Sequence, residues 1–176
     1  MAATVGALDR SRDNPQMTSK SNTPSKRLQK GPLGLVLGYL LANASISTDR
    51  VFEERVLKHL QLRKVEYTIL NLVNHNPGVK ASLVAKVLGF SAPSTSVWLE
   101  KLCDRTLLRR EPDPVDKRAQ HLFITSQGEA LCQEATAQIL AGESETLKHL
   151  SSAEQAMLKE LLIKYAAGRS LSAAAR

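Results

Sequence analysis

The 176-residue sequence predicts a mainly α-helical chain interrupted once by a small β-hairpin. Hydrophobic residues make up 43% of it and aromatics only 4%, which suits a Leu, Ala and Val helical core better than an aromatic-rich sandwich. Apolar residues recur at i, i+3 and i+4 through most of the chain beyond residue 31. Between residues 107 and 124, two short strand-like runs flank the turn-rich Pro112-Asp113-Pro114-Val115-Asp116-Lys117-Arg118.

Residues 1–31 are rich in Ser, Thr, Asn, Pro and basic side chains and lack an apolar period. They are expected as a disordered basic tail, either plainly solvated or serving as an arm along a polyanion. Pro32 suits the first turn of a helix, and Leu33, Val36, Leu37, Leu40 and Leu41 follow at helical spacing. Ser47-Thr48-Asp49 reads as a break and a new cap, after which Val51, Phe52, Arg55, Val56 and Leu60 line a second stretch. The two make an amino-terminal helix region over 32–61. Its apolar run Leu33–Leu41 follows Lys26, Arg27 and Lys30 and precedes Ala42-Asn43-Ala44, as in a signal peptide. The polar segment ahead of it is much longer than a normal n-region, and the run is too short to span a bilayer. A cytoplasmic chain without membrane contact is expected.

A helix from Lys64 to about Asn74, carrying Val65, Ile69, Leu72 and Val73, stops at Asn76-Pro77-Gly78. Lys80–Leu88 reads as a short helix with Leu83, Val84, Val87 and Leu88 inward. Gly89-Phe90 turns the chain, and Ser91 caps a helix with Pro93 in its first turn. That helix runs through Trp98, Leu99 and Leu102 to about Arg105. Two short helices joined by a tight Gly-containing turn are a helix-turn-helix. Strands over Leu107–Glu111 and Gln120–Ile124 then form a hairpin with a long charged tip. Thr125 caps the next helix, through Leu131, Ala135 and Ile139, with an interruption expected near Gly142. Ser151-x-x-Glu154 is a capping box opening a helix with Met157, Leu158, Leu161, Leu162 and Tyr165 along it. The organisation is thus 62–125 for the helix-turn-helix and hairpin, 126–168 for two carboxy-terminal helices, and 169–176 for a disordered tail.

Lys and Arg outnumber Asp and Glu by 24 to 17, a net charge of +7 that favours a polyanionic partner. The excess sits in residues 1–79 (11 against 6) and 80–125 (8 against 5), while 126–176 carries 5 against 6. Cys103 and Cys132 have no Cys or His at metal-ligand spacing, so no metal and no cofactor is expected. Both read as buried small apolar residues; a redox switch would need a lowered thiol pKa, which Asp104 beside Cys103 opposes. No nucleophile elbow, P-loop, dinucleotide fingerprint or base–orienter His pair is present, which argues against an enzyme.

Double-stranded DNA is the expected partner. Ser94, Thr95 and Ser96 would present hydroxyls near the amino end of the second helix, suited to phosphate oxygens and base edges. Lys117 and Arg118 stand at the hairpin tip, where a cation can enter a narrow minor groove. Asp116 carries the wrong charge for DNA and is expected to brace the tip by pairing with Arg118. Lys101 and Arg110 complete the cationic set expected against DNA.

The stretch Leu62–Gly128 resembles the MarR family, the multiple-antibiotic-resistance type of regulator. Its most specific part is Arg110-Glu111-Pro112-Asp113-Pro114-Val115-Asp116-Lys117-Arg118 followed by Leu122-Phe123-Ile124-Thr125 and Gly128. It is similar to the family's wing, an Asp-x-Arg loop before a strand ending in Leu/Ile-Thr with a nearby Gly. The resemblance implies a winged helix-turn-helix framed by amino- and carboxy-terminal dimerisation helices. It also implies a homodimeric repressor on a pseudo-palindromic operator, with contacts at Pro93, Ser94, Ser96 and Val97 and with Asp116 and Arg118 in the wing. A small effector, an aromatic acid or phenol, would bind beside the dimer helices, where Tyr39, His59, Arg63 and Tyr67 are the candidate groups. The chain departs from the family at Val97, where Arg is common and would add about 1–3 kcal/mol of discrimination at a guanine. It departs again at Thr106, where Gly commonly closes the helix. A winged helix used for protein docking is the alternative, and it would call for an apolar recognition surface.

Overall fold

The structure, a computed structural model, describes residues 28–116 and 119–173, with side chains through 167. Most of the expected amino-terminal tail and the last three residues lie outside that range. Pro32 opens a 3-10 turn, Gly31–Leu35, and α1 (Leu37–Phe52) follows. The break expected at Ser47-Thr48-Asp49 does not occur. The Ser45 and Thr48 hydroxyls donate to the carbonyls of Ala42 and Ser45, three residues back, so these side chains satisfy themselves inside the helix instead of capping a new one. The helical path continues through a π turn, Glu53–Leu57, and a last turn, Lys58–Leu60. It stops at Gln61, which has a left-handed φ of 50° and whose carbonyl accepts from Arg105 Nη1 at 2.9 Å.

Helix α2 (Lys64–His75) begins with Glu66 accepting the Arg63 backbone N–H at 2.8 Å. It buries Ile69, Leu70 and Val73, leaving Val65 and Leu72 at the margin. Strand β1 (Val79–Lys80) is followed by α3 (Ala81–Leu88). The buried stripe of α3 is one position from the expected one. Val84 and Ala85 are buried, whereas Leu83 and Val87 are about half exposed. The short helix rotates its small residues inward because α4 (Ala92–Asp104) packs closely against it, with Leu99 and Leu102 in the shared core. Gly89 closes α3 at φ 69°, a conformation that a Cβ would strain.

Strands β2 (Leu108–Pro112) and β3 (Gln120–Ile124) pair antiparallel, and β1 joins the far side of β3, giving the order β1-β3-β2. Leu108 and Leu122 point into the core and fix the register, with Leu108 opposite Ile124 and Glu111 opposite His121. Helix α5 (Ser126–Thr146) starts at Thr125, whose hydroxyl accepts the Gly128 N–H at 3.0 Å. It runs through Gly142 without interruption. Glycine there serves close packing, since a Cβ would lie 2.4 Å from Val51 Cγ1 of α1. Cys132 is buried, and burial raises its thiol pKa above the ordinary value; Cys103 is partly buried, and both are unpaired.

Helix α6 (Ser152–Ala173) opens with the expected capping box: Glu154 accepts the Ser151 backbone N–H, and Ser151 Oγ accepts from Glu154 N–H. It continues five residues into the stretch expected as a tail. Between 152 and 167 every residue is exposed except Gln155. One apolar cluster joins Phe52 and Val56, Leu62, α2, α3, α4, β2, β3 and α5, and no described side chain of α6 enters it. The architecture is a winged helix-turn-helix with long terminal helices.

Thr106 adopts φ 56° after α4, where a β-branched side chain is strained. Its neighbours compensate: Thr106 Oγ1 donates to Gln127 Oε1 at 2.7 Å, and its carbonyl accepts the Thr125 hydroxyl at 2.7 Å. Thr106→Gly is expected to stay within about 1 kcal/mol of the parent, because relief of strain offsets the lost bond. Thr106→Val keeps the strain and loses the bond, so its urea midpoint should fall further than that of the Gly variant.

Candidate nucleic-acid interface

The amino end of α4 is built for exposure. Ser91 Oγ accepts the Ser94 N–H at 3.3 Å and lies 2.9 Å from Ser94 Oγ. Pro93, Ser94, Ser96 and Val97 are exposed on this helix, Val97 with 49% of its surface open. Thr95 is a correction to the expected set. It is 2% exposed, and its hydroxyl donates to the Ser91 carbonyl at 3.0 Å, because position 95 falls on the inward stripe with Leu99 and Leu102. Lys101 is exposed on the same helix, its Nζ 4.7 Å from the centre of the Trp98 ring. Trp98 itself is partly buried against the core.

Strand β2 lies against α4, and Arg110 joins them. Its Nη2 donates to the Ser96 carbonyl at 3.3 Å, while its Nε is buried with no hydrogen-bond partner among the described residues. Arg110 therefore holds the hairpin against the helix, a role that its charge alone did not reveal. Arg109 points elsewhere, over the Phe123 ring at 4.3 Å and paired with Glu111.

Lys117 and Arg118, and with them the expected Asp116–Arg118 pair, lie outside the described residues. Asp113 also braces the turn. Its Oδ1 accepts the N–H groups of Val115 (2.9 Å) and Asp116 (3.0 Å), and its Oδ2 lies 2.9 Å from His121 Nε2 and 3.2 Å from Lys80 Nζ. These bonds, the Asp116 N–H foremost and then His121, hold its pKa well below the carboxylate range. The Pro-Asp-Pro sequence signalled this turn, since Asp before a bend accepts backbone N–H groups two and three residues on. The His121 partner could be found only from the strand register.

The four candidate effector residues do not converge. Tyr67 donates to or accepts from Thr136 Oγ1 at 2.9 Å and lines a cavity of about 260 Å³ with Phe52, Lys64 and Ile139. His59 lines a separate one of about 360 Å³ with Arg55 and Glu134. Arg63 is exposed near the Trp98 ring, and Tyr39 sits near Lys30. Among the described residues no His, Cys, Asp and Glu group could hold a metal, and no helix is long and apolar enough to cross a membrane.

The sequence profile of the MarR family matches residues 60–119, the span from the start of the helix-turn-helix through the wing turn. Over this stretch, about a third of the chain, the sequence is similar to the MarR family. The chain is 27% identical over 103 residues to the transcriptional regulator HosA of Escherichia coli O111:H-, covering 58% of this chain and 76% of HosA. It is similar in structure to the transcriptional repressor CouR bound to a 23-mer DNA duplex, with a TM-score of 0.73 and 27% identity over 79% of this chain and 98% of CouR. The PcaV regulator of Streptomyces coelicolor, in complex with its natural ligand, shares the fold, with a TM-score of 0.67 and 22% identity over 79% of this chain and 97% of PcaV. The proteins that it resembles in sequence and fold are transcriptional regulators, not enzymes.

Proposed function

We propose that this protein is a MarR-family repressor that binds a pseudo-palindromic operator as a homodimer. Helix α4 enters the major groove through Pro93, Ser94, Ser96 and Val97, and the wing reaches the minor groove with Lys117 and Arg118. The observation that carries this reading is the Arg110–Ser96 bond, which holds the hairpin against the helix with the exposed hydroxyls. CouR, of similar fold, is bound to a duplex, which supports the same use of this surface. The partner in the dimer is a second copy, docked on the uncovered apolar side chains of α1 and α6, among them Leu37, Leu40, Leu158 and Leu162. Between these helices lies an apolar groove of about 480 Å³. Two copies of α4 would then lie about 34–36 Å apart, one turn of duplex.

A small aromatic acid or phenol that releases the operator completes the proposal. Of the candidate sites, the cavity at Tyr67 suits it best, since it sets the aromatic Tyr67 and Phe52 beside the apolar Ile139; Lys64, paired with Asp49, and Glu143 also line it. Protein docking by the winged helix is the second reading. Leu83, Val87 and Phe90 favour it by their exposure, although none of them lies on α4.

A gel-shift titration across a salt series tests the DNA reading. With six or more phosphates neutralised per dimer, affinity should fall about a thousandfold between roughly 50 and 200 mM salt. Arg118→Ala should weaken binding to every sequence and flatten the salt slope by about two, one for each copy. Affinity for duplex that is independent of salt, or equal in the variant, would point to the docking reading.

A further inference from the structure

His121 on β3 stands beside the wing turn with both ring nitrogens engaged. Nδ1 lies 2.7 Å from the Gly78 carbonyl oxygen and Nε2 lies 2.9 Å from Asp113 Oδ2. Carbonyl and ionised carboxylate oxygens only accept, so each nitrogen must carry a proton. A neutral imidazole has one N–H and leaves a lone pair facing an oxygen on one side; only the imidazolium satisfies both. We propose that His121 is a positioning residue for DNA binding, acting as an imidazolium that ties the wing turn to the body of the domain. This rests on the proposed use of the wing against duplex.

The tie spans three segments. Gly78 lies between α2 and β1, and its own N–H donates to the Leu122 carbonyl at 2.9 Å. Asp113, at the other end, organises the turn through the Val115 and Asp116 N–H groups. The turn closes with Asp113 N–H donating to Ala119 O and Ala119 N–H to Asp116 O. The charged groups around the ring are Asp113 from the turn, Lys80 from β1, paired in register with His121, and Glu111 from β2, opposite it and engaged by Arg109. The Gly78 carbonyl first, and then Asp113, raise the His121 pKa above the ordinary histidine value, with burial and Lys80 opposing.

The signs define a window. A raised His121 stabilises the folded wing fully below its ordinary value near 6.5, and the contribution is lost as pH climbs through the folded value. A lowered Asp113 contributes above the ordinary carboxylate range and is lost as pH falls through its own folded value. The wing is therefore held between these limits and loosens on the alkaline side, as His121 gives up its proton.

The test uses the full chain and a mixed-sequence duplex at constant salt, with nitrogen-15 NMR of the imidazoles alongside. His121 should carry a proton on both nitrogens at pH 6 and titrate above the ordinary histidine value near 6.5. Asp113→Asn should bring that titration down. Duplex affinity should drop about threefold to tenfold between roughly pH 6 and pH 9, and His121→Leu should be weak and flat over the same range. Titration of His121 at or below the ordinary value, or the same pH profile in the parent and His121→Leu, would overturn the proposal. If no duplex binds at any pH, the DNA reading fails separately. The tie itself then stands if the Val115 and Asp116 amides become mobile as His121 deprotonates, and falls if they do not.

Discussion

Replacing Gly128 by Ala is expected to cost about 3 kcal/mol of folding stability, at the upper end for overpacking in a closed site. Gly128 sits in the first turn of α5, where that helix crosses the start of β2. A Cβ there would lie 2.1 Å from the Leu107 carbonyl oxygen and 2.9 Å from Ile124 Cγ1. The near atom belongs to the backbone and cannot swing aside. The Leu107 carbonyl also accepts from Thr125 N–H at 3.1 Å and from the Thr125 hydroxyl at 3.2 Å, so moving it breaks the cap of α5. Alanine's better helix propensity recovers at most about 1 kcal/mol. A reduced urea midpoint at unchanged slope is the expected readout. Gly38→Ala, on α1 with nothing near its added methyl, is the matched control and should hold or gain stability. Equal midpoints for the two variants would mean that α5 does not approach Leu107 this closely.

Leu158→Glu combined with Leu162→Glu is expected to leave a folded monomer that binds duplex at least about a hundredfold more weakly. Both side chains are about two-fifths exposed and line the groove between α1 and α6. A single helix with one apolar face uncovered is marginal in water, so α6 needs a partner to cover it. Two carboxylates placed in a dry interface would each have to be desolvated without a counter-charge, costing several kcal/mol. Because no described side chain of α6 enters the core cluster, the winged domain should keep its own cooperative unfolding. Light scattering at micromolar concentration and a gel shift provide the check. A double variant that remains dimeric would place the interface elsewhere; one that is monomeric with undiminished affinity would remove the need for two half-sites.

Local signals in the sequence were reliable wherever one short-range contact decides the structure. Ser91, Thr125 and Ser151-x-x-Glu154 each cap the helix that follows them, because a hydroxyl reaches the N–H three residues on in any surroundings. The same short range misled at Ser47-Thr48-Asp49. Hydroxyls can cap a helix or bond backwards within one, and packing of α1 against α5 selected the second. Gly142 shows the complementary limit. Read locally it weakens a helix; in the fold it lets two helices touch.

The candidate interface divides in the same way. The hydroxyl-rich helix and the charged hairpin were legible as separate elements. That Thr95 faces inward, that Arg110 clasps the helix, and that His121 stands between Gly78 and Asp113 were not. The sequence by itself determined the order of the elements, their caps and the wing motif, since these follow from periodicity and from bonds spanning a few residues. Only the tertiary structure decided which side chains share a face and which polar groups meet, because those partners are up to 69 residues apart along the chain. Their encounter depends on strand register and helix rotation, which are set by burial of the whole core at once.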